Sequence, residues 1–67
     1  MTIHANDLPR LYTPEEMAAY LQISLSKVYQ EIRTGAIPSL LLGRCVRVKE
    51  EDLVEYLRRC TRNEFED

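Results

Sequence analysis

The chain has 67 residues, of which 45% are hydrophobic and 30% charged, and its formal net charge is −2. This length allows one small domain, and the composition is that of a globular protein, so a two-domain enzyme is not expected. There is no apolar run near the roughly 20 residues of a membrane helix and no basic-then-apolar signal peptide. We therefore expect a cytoplasmic protein with no membrane partner.

Residues that carry out chemistry in enzymes are sparse. His4 is the only histidine, and Cys45 and Cys60 have neither a Cys-x-x-Cys spacing nor a nearby histidine, so no zinc site is expected. No nucleophile and base stand at a catalytic spacing, and no glycine-rich loop could hold a phosphate. We predict a protein that is not an enzyme, needs no metal or cofactor, and keeps both cysteines reduced and buried or half-buried.

The charges are distributed unevenly along the chain. Residues 1–23 carry a net −2, residues 24–49 hold five bases against one acid for a net +4, and residues 50–67 hold three bases against seven acids for a net −4. Because Lys and Arg dominate the affinity for phosphates, a nucleic-acid site is expected in the middle stretch.

Two helices are predicted in close succession. The first begins with a capping box at Thr13 and Glu16, has Pro14 at its first position, and runs to about Leu21. Ser24 caps the second, whose apolar stripe of Leu25, Val28, Tyr29 and Ile32 continues to the stop at Thr34-Gly35. Such a tight connection predicts a helix-turn-helix, although Gln22 stands where glycine is favoured for positive φ.

A β-hairpin follows, with strands at residues 39–42 and 46–48 around Gly43-Arg44-Cys45. A two-residue loop would mix apolar and charged residues on each face of the hairpin. A three-residue loop gives one apolar face, and we therefore expect that register. Its pairs are Leu42 with Val46, Leu41 with Arg47, and Leu40 with Val48.

A third helix is predicted from Glu50 to about Cys60, with acidic residues in its first turn and Arg58 and Arg59 in its last. The order of elements gives a mainly α fold with a small β-hairpin: a winged helix-turn-helix with a two-stranded wing and a C-terminal helix. We assign residues 1–10 to a flexible N-terminal segment, 11–60 to the domain, and 61–67 to a frayed acidic tail.

The outer face of the second helix carries bases and hydrogen-bonding side chains, while Glu31 lies on its flank. Lys27 occupies the capping-box position, where a cation opposes the helix dipole, and a DNA contact would explain it. An ordinary solvated helix face is the alternative. The predicted major-groove contacts are Ser26, Lys27, Tyr29, Gln30 and Arg33. The predicted wing and backbone contacts are Thr13, Ser24, Arg44, Arg47 and Lys49, with Arg44 at the wing tip and Arg47 on its outer face.

Several short motifs occur in a characteristic order: Leu11-Tyr12-Thr13-Pro14-Glu15-Glu16, Ala19-Tyr20-Leu21-Gln22-Ile23-Ser24, Val28-Tyr29, Gly35-Ala36-Ile37-Pro38, Gly43-Arg44, Val46-Arg47-Val48, and Asp52-Leu53-x-x-Tyr56-Leu57. Together they resemble the excisionase-type DNA-binding domain, which is related to the winged domain of MerR regulators. The resemblance implies that helix two enters the major groove and that the wing contacts the flanking backbone. Leu25, Leu41 and Cys45 depart from it, because polar or basic residues are common there in relatives.

The resemblance further implies a recombination directionality factor, which binds and bends attachment-site DNA and assists a tyrosine or serine integrase in excision. A small MerR-like transcription regulator is the alternative within the same class. From another class, a protein-binding adaptor would use Leu41 and the acidic third helix. We also expect head-to-tail self-association on DNA, with the basic stretch of one copy beside the acidic residues 50–67 of the next.

Overall fold

The computed structural model describes residues 8–62. Most of the N-terminal segment predicted at 1–10 and of the tail predicted at 61–67 therefore lies outside the described residues. The elements are β1 (Leu11–Tyr12), α1 (Pro14–Leu21), α2 (Leu25–Arg33), β2 (Leu40–Leu42), β3 (Cys45–Lys49) and α3 (Glu50–Cys60). Three helices pack with an antiparallel sheet of order β1-β3-β2, which confirms the winged helix-turn-helix fold. No helix within residues 8–62 is both long and apolar enough to cross a bilayer.

The helix-turn-helix forms through the predicted local signals. The Glu16 amide donates to Thr13 Oγ1 at 2.9 Å, and the Thr13 amide donates to Glu16 Oε1 at 2.8 Å, which completes the capping box. Gln22 ends α1 in the left-handed region with φ 58°, as the turn requires. Ser24 Oγ then accepts the Lys27 amide at 3.1 Å and starts α2 after a very short connection.

The sheet has one strand more than the two-stranded wing predicted from the sequence. Leu11 and Tyr12 of β1 pair with Lys49 and Val48 of β3, and the Glu50 amide donates to the Arg10 carbonyl at 2.8 Å. Two residues show no alternation of polarity, so sequence periodicity could not reveal this strand. β1 ties the hairpin to the start of α1.

The three-residue loop predicted for the hairpin is wrong. The structure joins β2 and β3 through the two residues Gly43 and Arg44, and its pairs are Leu42 with Cys45, Leu41 with Val46, and Leu40 with Arg47. Gly43 has φ 65°, whereas Arg44 is not in the positive region, an arrangement expected of a type II′ turn. Turn geometry thus determines the register, because the far end of the hairpin lies beyond the core and Leu41 stays 71% exposed.

The corrected register also changes which residues the wing buries. Val48 is fully buried, but Val46 is only half-buried, and Leu42, predicted to be internal, is exposed. Arg47, predicted to face outward, is half-buried on the face that also holds Leu40. The predicted face of Leu40, Leu42, Val46 and Val48 therefore does not form. Leu41, Val46 and Val48 share one face instead, while Leu40 and Leu42 lie with Arg47 on the other.

The core draws one residue from each principal element: Met17 from α1, Val28 from α2, Ile37 from the following loop, Val48 from β3 and Leu53 from α3. Burying each side chain contributes about 1.5–3 kcal/mol before the entropy of ordering is counted. Both cysteines are free thiols but exposed, which corrects the expected burial. Cys45 lies at the hairpin turn and Cys60 in the last turn of α3, and both positions are outside this core.

Candidate nucleic-acid interface

Helix α2 contacts the core along a narrow line. Val28 is its fully buried residue and Ile32 is half-buried, whereas Leu25 and Tyr29, predicted to belong to the apolar stripe, are exposed. The stripe is incomplete because α1 is the main packing partner of α2, and the outer part of the stripe stays uncovered. A short helix held in this way offers most of its circumference to a ligand.

The exposed surface of α2 has three sectors. At about 100° per residue, Ser26, Gln30 and Arg33 fall within about 40° of the direction opposite Val28. These three residues form the polar front of α2. Lys27 and Glu31 lie on one side of the polar front, and the exposed Leu25 and Tyr29 lie on the other. All five side chains predicted to enter the major groove are thus exposed on one helix, with Ser26, Gln30 and Arg33 farthest from the core.

Lys27 is not an isolated cation. Its Nζ lies 3.2 Å from Glu31 Oε1, and the side-chain exposures are 51% for Lys27 and 19% for Glu31. The other oxygen, Glu31 Oε2, accepts a hydrogen bond from the Tyr56 hydroxyl of α3 at 3.2 Å. The i,i+4 spacing could have predicted the first contact, but the contact with Tyr56 joins residues 25 positions apart and has no local signal in the sequence.

The Tyr56 hydroxyl remains a donor over the whole physiological range. Partial burial, the nearby Cys60 thiol and the negative charge of Glu31 raise the pKa of Tyr56 to about 12. Glu31 and Tyr56 adjoin the candidate interface through Lys27, and sequence reasoning did not identify either of them.

The predicted wing contacts differ in how accessible their charges are. Arg44 is exposed at the tip of the hairpin, and within residues 8–62 it forms no ion pair. Arg47 Nη1 instead donates to the Val46 carbonyl at 2.7 Å, and Lys49 Nζ lies 3.9 Å from carboxylates of both Glu51 and Asp52. Arg44 is therefore the wing cation best placed to meet a phosphate.

Two hydroxyls predicted to contact the backbone are engaged as helix caps. Thr13 Oγ1 and Ser24 Oγ each accept an amide, yet each hydroxyl hydrogen can still be donated to a phosphate oxygen. The predicted contacts lie on three parts of the fold: α2 with its cap Ser24, the hairpin with Arg44, Arg47 and Lys49, and the N-terminal cap of α1 at Thr13.

Helix α3, unlike α2 and the hairpin, is acidic along one side. An open concavity lies along its acidic side, lined by Glu50, Glu51, Asp52, Val54, Glu55 and Arg58. Beside it is a smaller apolar groove of about 170 Å³ between α1 and α3, lined by Tyr12, Tyr20, Glu50, Leu53, Val54 and Leu57. Acidic side chains repel phosphates, so this surface is unsuited to contact a nucleic-acid backbone.

Comparisons with known proteins agree with this geometry. A family model described as a helix-turn-helix domain matches residues 11–61, which include every helix and strand described above. A protein of Bacillus subtilis (strain 168) named "Uncharacterized protein YvgK" is 47% identical over 45 residues, which are 67% of this chain but 15% of that protein. No solved structure matches the chain.

Proposed function

Because the chain belongs to the helix-turn-helix domain family and carries its DNA-binding motif, we propose that α2 reads the sequence of duplex DNA in the major groove while the hairpin contacts the flanking backbone. One observation carries the proposal: the side of α2 opposite Val28 combines a hydroxyl, an amide and a guanidinium in Ser26, Gln30 and Arg33, with no acid among them. These groups supply the hydrogen bonds that base edges accept and donate.

Each side chain has a role that follows from its chemistry. Gln30 is central and suits bidentate bonding to adenine, while Arg33 suits guanine or a phosphate, and Ser26 can bond to either kind of group. Lys27 and Tyr29 border this front. On the hairpin, Arg44 contacts phosphates most directly, and Arg47 and Lys49 supply weaker contacts to the backbone. Thr13 and Ser24 supply further weak contacts from the caps of α1 and α2.

We further propose that the protein acts as an excisionase-like factor, which bends attachment-site DNA and assists a tyrosine or serine integrase. The ordered motifs from Leu11 to Leu57 support this role, and it accords with a cytoplasmic location. The alternative is a small transcription regulator of the MerR-like type. The chain aligns with only 15% of its Bacillus relative, so helix-turn-helix segments of this kind also occur within much longer proteins.

The experiment that separates these roles is capture of genomic fragments by the purified chain, followed by sequencing. Enrichment at attachment-site junctions beside an integrase gene, together with bending of those fragments in circular-permutation gels, supports the excisionase role. Enrichment at promoters supports regulation. Equal recovery of all fragments would contradict sequence-specific binding altogether.

A protein-binding adaptor is the second candidate, and the apolar groove between α1 and α3 favours it. Tyr20 is 67% exposed and Val54 47% exposed at this groove, with Glu50 at its edge. The occupant that fits is a protein segment with an apolar side chain beside a Lys or Arg. DNA affinity that does not fall as salt rises, with retained binding of a purified protein partner, would favour the adaptor.

Self-association on DNA forms part of the same proposal. The basic stretch of residues 24–49 would lie beside the acidic α3 and the following residues of a neighbouring copy. Such a contact is head-to-tail and need not close, so copies could follow the duplex in an open row. A domain of this size contacts few base pairs, and added copies would raise its discrimination against competing sites.

A further inference from the structure

Three polar side chains connect the flank of α2 with α3. Lys27 Nζ lies 3.2 Å from Glu31 Oε1, and the Tyr56 hydroxyl donates to Glu31 Oε2 at 3.2 Å. Both oxygens of the carboxylate are therefore occupied, one by each partner. The side chain of Glu31 is only 19% exposed, so solvent screens these contacts less than it screens an ordinary surface pair.

Helix stability alone does not account for this arrangement. A lysine in the first turn opposes the helix dipole, and Lys before Glu at i,i+4 is the weaker order of such pairs. The contact with Tyr56 nevertheless orients Glu31 from outside its own helix. A hydrogen bond from another helix thus holds Glu31 in position to pair with Lys27 at the edge of the polar front.

The pairing changes what Lys27 can do near DNA. An unpaired lysine is a flexible point charge that attracts any phosphate, which strengthens binding to every sequence. The Lys27 ammonium has three donors and is 51% exposed, so it can reach a phosphate while it stays paired, but Glu31 then holds a negative charge close to the duplex and offsets the gain. Lys27 therefore adds less affinity for random DNA than an unpaired lysine would.

We propose that Glu31, positioned by Tyr56, is a specificity-determining residue that restrains Lys27 and limits binding to non-target DNA. This inference rests on the proposed function, and it concerns discrimination between sequences rather than the ability to bind. Glu31 lowers affinity for random duplexes more than for the preferred site, where contacts from Ser26, Gln30 and Arg33 hold α2 in register.

The test compares two conservative variants with matched controls. Glu31→Gln removes the charge but keeps an oxygen for the Tyr56 hydroxyl, and Tyr56→Phe removes only that hydroxyl. Glu55→Gln is the control for the first, since Glu55 also forms a 3.2 Å ion pair, with Arg58 on α3. Tyr12→Phe is the control for the second, since the Tyr12 hydroxyl also donates to a carboxylate, Glu50, at 3.2 Å.

Affinity is measured for the preferred duplex from the capture experiment and for a random duplex of equal length, at several salt concentrations. Glu31→Gln is expected to raise affinity for random DNA by about 3- to 10-fold, with a salt slope steeper by about one unit, and to lower the ratio of preferred to random affinity. Tyr56→Phe shifts the ratio in the same direction by less. In a Lys27→Gln background, the effect of Glu31→Gln on the ratio is expected to shrink.

Thermal unfolding confirms that each variant is folded at the assay temperature. An unchanged ratio in Glu31→Gln, with normal binding by the wild-type chain, would overturn this inference and leave the proposed function standing. A similar change of the ratio in Glu55→Gln would also overturn it, because the effect would then be one of net charge. Absence of salt-dependent DNA binding by the wild-type chain would overturn both the inference and the proposed function.

Discussion

Helix α2 and the hairpin of β2 and β3 come from the same basic stretch of the chain, but they present their charges differently. On α2, polar side chains lie opposite the core, and the lysine at their edge is paired with Glu31. On the hairpin, Arg44 is exposed at the tip while Arg47 turns back to a carbonyl of its own strand. Cations from one basic stretch of the sequence are therefore unequally available to phosphates.

The difference follows from how each element is supported. Caps at both ends and one buried valine fix α2, so its outer face is determined by helical geometry alone. The hairpin is fixed at its base, where Val48 enters the core, and its tip extends beyond the core. On the proposed function, we therefore expect α2 to supply discrimination between sequences and the hairpin to supply general affinity.

The largest expected effect concerns the base of the hairpin. Val48→Asp would bury an unpaired charge and cost more than about 4 kcal/mol, enough to unfold a domain of this size. Val46→Asp is the matched control, because Val46 lies on the same face of β3 nearer the tip and is only half-buried. Circular dichroism melts measure both. Unfolding by Val46→Asp but not by Val48→Asp would contradict the observed packing of the wing.

Substitutions in two turns, at Gly43 of the hairpin and at Gln22 between α1 and α2, should change the free energy of unfolding by an intermediate amount. Gly43 has φ 65°, and a Cβ at this position would meet no atom within 4 Å, so Gly43→Ala costs only backbone strain, about 1–2 kcal/mol. Gln22 has φ 58° without being glycine, so Gln22→Gly is expected to stabilise the domain by about 1 kcal/mol. Urea unfolding tests the pair. Neutral behaviour of Gly43→Ala would argue against the two-residue loop.

The contrast between the two wing arginines predicts a smaller effect, on binding. Arg44→Ala should weaken binding to the preferred and the random duplex alike by about 1 kcal/mol, and it should reduce the salt dependence of binding by about one unit of slope. Arg47→Ala should reduce affinity less, because Arg47 already donates to the Val46 carbonyl. Fluorescence anisotropy with labelled duplexes measures both changes. A greater loss of affinity in Arg47→Ala would contradict the claim that Arg44 contributes more to DNA binding than Arg47.

The smallest expected effect concerns cooperation between copies. On duplexes with two or three tandem sites, the full chain should bind with positive cooperativity, whereas a chain ending at Thr61 should lose part of it, since an exposed charge pair contributes about 1 kcal/mol or less. Gel shifts on one, two and three sites compare the two chains. Independent occupation of each site by the full chain would rule out head-to-tail association.

The sequence predicted the helices well because their signals are local. The capping box at Thr13, the cap at Ser24 and the stop at Gly35 each act within a few residues, and the helix-turn-helix follows from their spacing. The outward position of Gln30 and Arg33 also follows from helical periodicity. Together these features determine most of the surface of α2 that is proposed to contact base edges.

What the sequence did not predict depends on tertiary structure. The hairpin register was inferred from burial, whereas the backbone of Gly43 determines it at a tip that the core does not reach. β1 is too short to show periodicity. The contact of Tyr56 with Glu31 arises only when α3 packs beside α2, so no spacing along the chain could indicate it.

The most direct test of the central claim is the effect of Gln30→Ala on discrimination between sequences. Titration of the wild type and the variant with preferred and random duplexes should show a loss of about 1–3 kcal/mol on the preferred site and little change on random DNA. Arg58→Ala, which replaces an exposed arginine on α3, is the control and should leave the ratio unchanged. Wild-type affinity of Gln30→Ala for both duplexes, or an equal loss on both, would contradict the account of α2 as the element that reads the sequence.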